Sequence, residues 1–153
     1  MNNFKKYKDI VYKIIGASME VHSVLRWGLL DSVYNEALSM ELSDQGIENS
    51  TEVNIPCYYK HHEMKKSYKM DLTVGDIVVE LKSTSSIVPA HRAQLFNYLR
   101  LTKRPVGLLI NFGTTKLQGE RYGYIEETNE CVVLDRNMDL VYESIDWNAD
   151  EEY

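Results

Sequence analysis

Two carboxylates and a lysine on neighbouring strand patterns are the residues of this sequence best suited to do chemistry. Glu80 and Lys82 are two positions apart in the run IVVELKS, so in a strand both side chains project from the same face. Asp71 lies on the polar face of the preceding strand pattern. Charged groups are costly to bury unless they are paired or bind a metal. Mg²⁺ binds through one or two carboxylates and also accepts phosphate oxygens, so this grouping predicts a magnesium site.

The acid-x-Lys spacing carries little information by itself. With 23 acids and 11 lysines among 153 residues, chance predicts about 1.7 such triplets, and the sequence holds two, Glu63-Met64-Lys65 and Glu80-Leu81-Lys82. The first lies in the polar run KHHEMKK, which is typical of an exposed hairpin tip, whereas the second lies in an apolar strand pattern. The alternative interpretation of the second triplet is a structural salt bridge from Lys82 to Asp71 or Glu80.

A predicted helix adds two polar side chains to these strand residues. Gln94 and Tyr98 are four positions apart and therefore share one helix face, with His91 one turn earlier. Taken singly, each would be ordinary helix-surface polarity or a half-buried tyrosine. The histidines and the two cysteines, Cys57 and Cys131, show no zinc-ligand spacing, and no glycine-rich phosphate loop is present.

Hydrophobic periodicity predicts the elements that must position these residues. Steps of three and four residues predict helices over 6–25, about 31–45 and 89–102. Two-residue alternation and short apolar runs predict strands over 51–60, 67–74, 77–83, 106–112, 122–125 and 131–134. A two-residue turn at Gly75-Asp76 joins the second strand to the third, which is apolar enough to be central in its sheet. This order predicts an α/β fold in which a central mixed sheet is flanked by helices.

Composition and charge narrow the class of protein. The chain has 153 residues, 44% of them hydrophobic and 26% charged, as expected for one globular domain. The net charge of −6 argues against a nucleic-acid partner. However, the last fifteen residues contain six acids and no lysine or arginine, so they account for the whole negative charge and the rest of the chain is near neutral. We therefore expect a single domain over 1–142 and an acidic C-terminal tail over 143–153. Without a long apolar segment or a signal-like start, we expect no membrane association and a cytoplasmic location.

Four segments of the sequence resemble the motifs of one known family. In chain order they are Gly28-Leu29-Leu30-Asp31-Ser32-Val33-Tyr34, then Asp71 with Glu80-Leu81-Lys82, then Gln94-Leu95-Phe96-Asn97-Tyr98-Leu99, and last Gly107-Leu108-Leu109-Ile110-Asn111-Phe112-Gly113. With this order and spacing the chain resembles the GxxExxY family, a branch of the PD-(D/E)xK nuclease superfamily. The resemblance runs from about residue 10 to residue 124, which is most of the chain.

The resemblance implies a restriction-endonuclease-like core and a role for each matching residue. Asp71 and Glu80 would bind Mg²⁺, for which Mn²⁺ would substitute, and Lys82 would position or deprotonate the attacking water. Gln94 and Tyr98 would support the site from the helix. The family's first motif carries a glutamate where this chain has Asp31. The shorter aspartate would be a third metal ligand that reaches the ion through water.

The expected function is metal-dependent hydrolysis of phosphodiester bonds in nucleic acid, DNA rather than RNA. Phosphate contacts would come from six basic residues, Lys60, Lys65, Lys66, Lys69, Arg92 and Arg100. A homodimer is one way in which so small a domain could cut two strands. The alternative is a catalytically weak or inactive nuclease-fold module that acts by binding protein or nucleic acid. A third interpretation is hydrolysis of a different phosphate-bearing substrate.

Overall fold

The computed structural model describes residues 3–141, and the predicted acidic tail at 143–153 lies outside them. A short 3₁₀ turn at Phe4–Tyr7 precedes three α-helices, α1 (Lys8–Leu25), α2 (Asp31–Asp44) and α3 (Pro89–Thr102). The strands are β1 (Ser50–Tyr59), β2 (His62–Val74), β3 (Ile77–Lys82), β4 (Val106–Asn111), β5 (Gln118–Ile125) and β6 (Glu130–Leu134). Every predicted helix and strand is therefore present, and β2 and β5 begin earlier than predicted.

The six strands form one sheet in sequential order, β1-β2-β3-β4-β5-β6. Strands β3 and β4 are parallel because α3 carries the chain back across the sheet between them, and the other neighbours are antiparallel. The structure thus confirms a mixed sheet in a single α/β domain. In residues 3–141 no helix combines the length and the apolar character that crossing a membrane requires.

Helices cover both faces of this sheet. The apolar faces of α1 and α2 pack on the side chains of β3 and β4 that point one way, and α3 packs on those that point the other way. Gly107 in β4 allows α3 to lie close, since a Cβ atom there would stand 2.9 Å from Leu95 Cδ1. Strand β3, which carries Glu80 and Lys82, thus lies between the two cores and packs into both.

Candidate active site

Strands β2 and β3 separate at Asp71 and Glu80, and we call this point the fork. Their backbone ladder consists of three pairs, Leu72↔Val79, Thr73↔Val78 and Val74↔Ile77. At the fork, side chains take over as acceptors of the backbone hydrogen bonds. The N–H of Asp71 donates to Glu80 Oε1 (3.0 Å), and the N–H of Leu81 donates to Asp71 Oδ2 (2.9 Å). Two carboxylates are therefore held at an opening in the middle of the sheet.

The opening exists because β2 turns over at Asp71. Met70 packs in the core beside α3, whereas Leu72, two residues on, packs in the core beside α1 and α2. Opposite this point Glu52 of β1 has a φ of 50°, a left-handed conformation that increases the local twist. The two-residue alternation that predicts a strand over 67–74 also predicts one shared face for Met70 and Leu72, and this is wrong because regular alternation assumes an unbroken strand.

Glu80 is a buried acid with an acidic neighbour. Only 1% of the surface of Glu80 is exposed to solvent. Burial, and then the nearby negative charge of Asp71, raise the pKa of Glu80 to about 9. A carboxyl group in such surroundings gains from a cation that screens its charge. Asp71 and Glu80 both offer carboxylate oxygens as metal ligands, and such ligands suit a hard divalent ion such as Mg²⁺.

Lys82 connects the fork to α3 through neutral groups. Its Nζ donates to Gln94 Oε1 (2.8 Å), and Gln94 Nε2 donates to the hydroxyl of Tyr98 (3.1 Å). Neither of the two salt bridges found in residues 3–141 involves Lys82, so the alternative ion pair with Asp71 or Glu80 is not formed. The ammonium charge therefore lies beside the carboxylates without being cancelled by either of them.

Tyr98 completes the polar chain that starts at Lys82. Burial and the charge of Glu80 raise the pKa of its phenol. Because the phenol accepts from the amide nitrogen of Gln94, the amide oxygen is the atom that faces Lys82. The structure therefore brings five sequence-predicted residues together at the fork: Asp71, Glu80, Lys82, Gln94 and Tyr98.

Asp31 occupies a different position from these five. It is exposed at the first residue of α2, and no group of three His, Cys, Asp or Glu side chains within the described chain is arranged to hold a metal. One turn later Asn35 Nδ2 donates to the backbone oxygen of Asp71 (2.9 Å). The helix thus contacts the fork through Asn35, and metal binding by Asp31 stays a prediction.

The six predicted phosphate-binding residues do not form one surface. Lys60, Lys65, Lys66 and Lys69 are exposed on the β1–β2 hairpin. Arg92 instead forms a two-point salt bridge with Glu120 of β5 (2.8 and 2.9 Å). Although burial opposes ionisation of Glu120, the hydrogen bond from Arg92 lowers its pKa.

Arg100 lies in the last turn of α3, two residues after Tyr98. Its charge acts on Cys131 of β6, where burial raises the pKa of the thiol and Arg100 opposes that rise. Strand β6 is the sheet edge opposite the hairpin. A phosphate contact by Arg100 stays a prediction, at a distance from the four hairpin lysines.

Sequence reasoning missed three residues that contact this region. Tyr68 of β2 lies against Tyr98, with ring centroids 5.9 Å apart, and Asn35 holds the backbone of Asp71. Asn111 ends the apolar run of β4, and a buried polar residue at the end of such a run is a signal that could have been used. The placements of Tyr68 and Asn35 depend on tertiary packing and leave no comparable local signal.

Asn111 fixes the segment that follows Lys82. The residue is fully buried, and its Oδ1 accepts from the N–H groups of Thr84 and Gly113, both at 3.0 Å. Its Nδ2 donates to the backbone oxygen of Thr84 and to Gln118 Oε1, also both at 3.0 Å. The amide therefore ties the ends of β3 and β4 together immediately behind the lysine.

Replacing Asn111 with alanine is expected to lower the free energy of unfolding by about 3 kcal/mol, since it leaves several buried polar groups without partners. Urea denaturation monitored by circular dichroism would measure the change. Asn54→Ala, at an exposed position of β1, is the matched control and should alter stability by less than about 0.5 kcal/mol. Equal stability of the two variants would contradict the role given to Asn111.

Comparisons with known proteins agree with this geometry. The family model described as the PD-(D/E)XK nuclease superfamily matches residues 8–122, which include every residue of the fork. No curated protein sequence matches the chain at a significant level. The crystal structure of SSO0001 is similar with a TM-score of 0.50 and 17% identity over 81% of this chain, which spans 63% of that one.

The likeness to SSO0001 concerns the fold alone, because the identity is low. Together with the family match, it confirms the restriction-endonuclease-like α/β core that the sequence predicts. The family model covers well over half of the chain and extends from α1 into β5. The chain therefore belongs to the PD-(D/E)XK nuclease superfamily.

Proposed function

We propose that this protein is a metal-dependent nuclease that hydrolyses phosphodiester bonds in nucleic acid, DNA in preference to RNA. The observation that carries the proposal is the fork, where the carboxylates of Asp71 and Glu80 lie beside a lysine that pairs with neither. Superfamily membership supports the nuclease class. The preference for DNA is the part that rests most on the sequence resemblance.

The residues of the fork fit a divalent metal. Asp71 and Glu80 would hold Mg²⁺, or Mn²⁺ in its place. The raised pKa of Glu80 reflects the cost of ionising a buried carboxyl beside Asp71, and a bound cation would offset that cost. When bound, such an ion supplies positive charge that makes a water molecule more acidic and offsets charge on the phosphate. Two carboxylates suffice for Mg²⁺, which keeps several waters in protein sites.

Lys82 would orient the attacking water and stabilise the negative charge that develops on the phosphate oxygens. Gln94 restrains the ammonium group through its amide oxygen, 2.8 Å away, without neutralising it. Tyr98 in turn fixes the orientation of that amide. A preorganised charge of this kind acts most strongly in the transition state, when the phosphate carries most negative charge.

The GxxExxY branch is the finer assignment that we propose within the superfamily. The spacing of glycine and tyrosine in the first motif has a physical reason in this chain. Gly28 has a φ of 106°, which favours glycine, and Tyr34 is fully buried with its ring stacked on Phe112 at 4.7 Å. The hydroxyl of Tyr34 also donates to the backbone oxygen of Arg26, so the motif holds the loop between α1 and α2.

A nuclease-fold module without catalytic activity is the second candidate. It is favoured by the exposed position of Asp31, which leaves the fork with two carboxylates among the described residues. Such a module would act by binding protein or nucleic acid and would not require a metal. Metal-dependent cleavage therefore separates the two candidates.

The proposed activity is tested with labelled single- and double-stranded DNA and RNA incubated with Mg²⁺, Mn²⁺ or EDTA. We expect cleavage that requires a metal, favours DNA and disappears in Glu80→Gln. If the folded wild-type protein cuts none of the substrates with either metal, the nuclease proposal fails and the non-catalytic module replaces it. Cleavage that persists equally in EDTA and in Glu80→Gln would indicate a contaminating enzyme.

A further inference from the structure

The β1–β2 hairpin extends away from the fork as an arm, which we define as residues 56–69. Its side chains are exposed except for half-buried Cys57. The two strands are joined by a tight turn in which Lys60 and His61 have φ values of 48° and 69°, typical of a two-residue hairpin turn. The polar run KHHEMKK thus lies at an exposed hairpin tip, as the sequence predicts, and the arm that carries it is an ordered two-stranded ribbon.

Strand alternation divides the arm into two faces. Tyr68 lies against Tyr98, so its face continues into the fork, and we call it the site face. Within β2 every second side chain shares this face, and Tyr59 joins it because it pairs with His62. The register of β1 and β2 shifts between Pro56 and Tyr58, but by two residues, which preserves this alternation. The site face consists of Tyr59, His62, Met64, Lys66 and Tyr68. The opposite face consists of Tyr58, Glu63, Lys65, Ser67 and Lys69.

The site face combines exposed aromatic rings with positive charge. Tyr59 is 64% exposed and Tyr68 is 48% exposed, although both occupy strands of an ordered sheet. Lys66 lies between them along the arm, and Lys60 Nζ stands 5.4 Å from the ring centroid of Tyr59. The acid of the arm, Glu63, lies on the opposite face, so nothing on the site face repels a phosphate.

We propose that the site face of the arm binds single-stranded nucleic acid and leads it to the fork. Bases would stack on Tyr59 and Tyr68, while Lys60 and Lys66 contact phosphates, the combination that single-strand-binding proteins use. Duplex bases already stack on one another inside the helix, so exposed rings gain little from a double-stranded ligand. The inference rests on the proposed nuclease function and adds the substrate class, a single strand.

The arrangement of charge favours this occupant over a second copy of the chain. A copy of the same arm would bring Lys60 and Lys66 against their own equivalents, and the acid that could offset them points away. A polyanion is instead complementary to the whole face. The face also continues to the residues at which a phosphodiester would react, since Tyr68 contacts Tyr98.

The test is fluorescence anisotropy with a labelled, unpaired oligonucleotide and a hairpin duplex of equal length, in EDTA so that neither is cut. Tyr59→Ala and Tyr68→Ala are each expected to weaken single-strand binding by about five- to a hundred-fold, the range for a lost base stack. Tyr59→Phe keeps the ring and should bind within about two-fold of wild type. Tyr58→Ala removes an equally exposed tyrosine (60%) from the opposite face and is the matched control, also expected within two-fold.

Several results would overturn the inference. One is tighter binding of the duplex than of the single strand, and another is an equal loss in the Tyr58 and Tyr59 variants. Unchanged binding by Tyr59→Ala together with conversion of a dimer to a monomer would show that the face is a self-association surface. These outcomes are separate from failure of the proposed function. If the protein cleaves nucleic acid but the Tyr59→Ala and Tyr68→Ala variants bind and cleave as wild type does, this inference fails and the proposed nuclease function stands. If these variants lose single-strand binding but the wild-type protein cleaves nothing, the proposed nuclease function fails and the binding surface stands.

Discussion

Replacing Lys82 with alanine is expected to lower kcat for metal-dependent cleavage by about 10²–10³-fold, the scale for loss of one preorganised electrostatic group. The expectation follows from the partner of the lysine, which is the neutral amide of Gln94 at 2.8 Å rather than a carboxylate. A lysine in a structural salt bridge would contribute to stability and little to the rate. Single-turnover cleavage at saturating metal and substrate measures the chemical step directly.

Metal binding provides the second readout for this variant. The positive charge of Lys82 lies close enough to Glu80 to favour its ionised form. The same charge repels a metal cation at the fork, so replacing Lys82 with alanine removes that repulsion. Titration with Mn²⁺ should therefore show equal or tighter binding by Lys82→Ala, although cleavage is lost. Lys13→Ala, at an exposed position of α1, is the matched control and should cleave at the wild-type rate. A kcat for Lys82→Ala within a few-fold of wild type would contradict the catalytic role.

Local periodicity predicted those parts of the site that lie within one element. Glu80 and Lys82 share a strand face and Gln94 and Tyr98 share a helix face, and both pairs take part in the fork. The sequence also predicted a mixed sheet flanked by helices, and in the structure the helix between two apolar strands makes β3 and β4 parallel. That crossover is what lays α3 over Lys82.

Contacts between distant segments could not be predicted in the same way. Strand β2 turns over opposite the left-handed Glu52 of the neighbouring strand, an irregularity that alternation alone does not reveal, so the sequence placed Met70 on the wrong face. Arg92 looked like a free cation in the sequence, yet it pairs with Glu120, which lies 28 positions later. A sequence gives the charge of such a residue but not the partner that packing brings to it.

The stability of the metal-free protein should fall as the pH rises from about 5 to about 9, and Glu80 is the reason. Because burial and Asp71 raise the pKa of Glu80 to about 9, the folded state keeps a proton that the unfolded chain releases above about 4.5. Within this window the unfolded state binds fewer protons than the folded state. The free energy of unfolding therefore decreases with pH, at a slope approaching about 1.4 kcal/mol per pH unit.

Glu80→Gln is expected to remove this dependence. Glutamine stays neutral, and its Oε1 can still accept the hydrogen bond that the N–H of Asp71 makes to Glu80 at 3.0 Å. In EDTA at pH 8 the variant should therefore be more stable than wild type, although it has lost a candidate metal ligand. Urea denaturation in EDTA at pH 5.5, 7 and 8.5 measures the slopes. Glu63→Gln, from the exposed acid-x-Lys triplet of the arm, should follow the wild-type curve.

Adding metal ties this pH dependence to the proposed function. A divalent ion at the fork must displace the proton of Glu80, so Mg²⁺ or Mn²⁺ should raise the Tm of wild type more at pH 8 than at pH 6. The same ions should leave Glu80→Gln unchanged and should stabilise Glu63→Gln as they do wild type. If metal stabilises Glu80→Gln and wild type equally, the ion binds elsewhere. The buried acid would then be a cost in stability that metal binding does not offset.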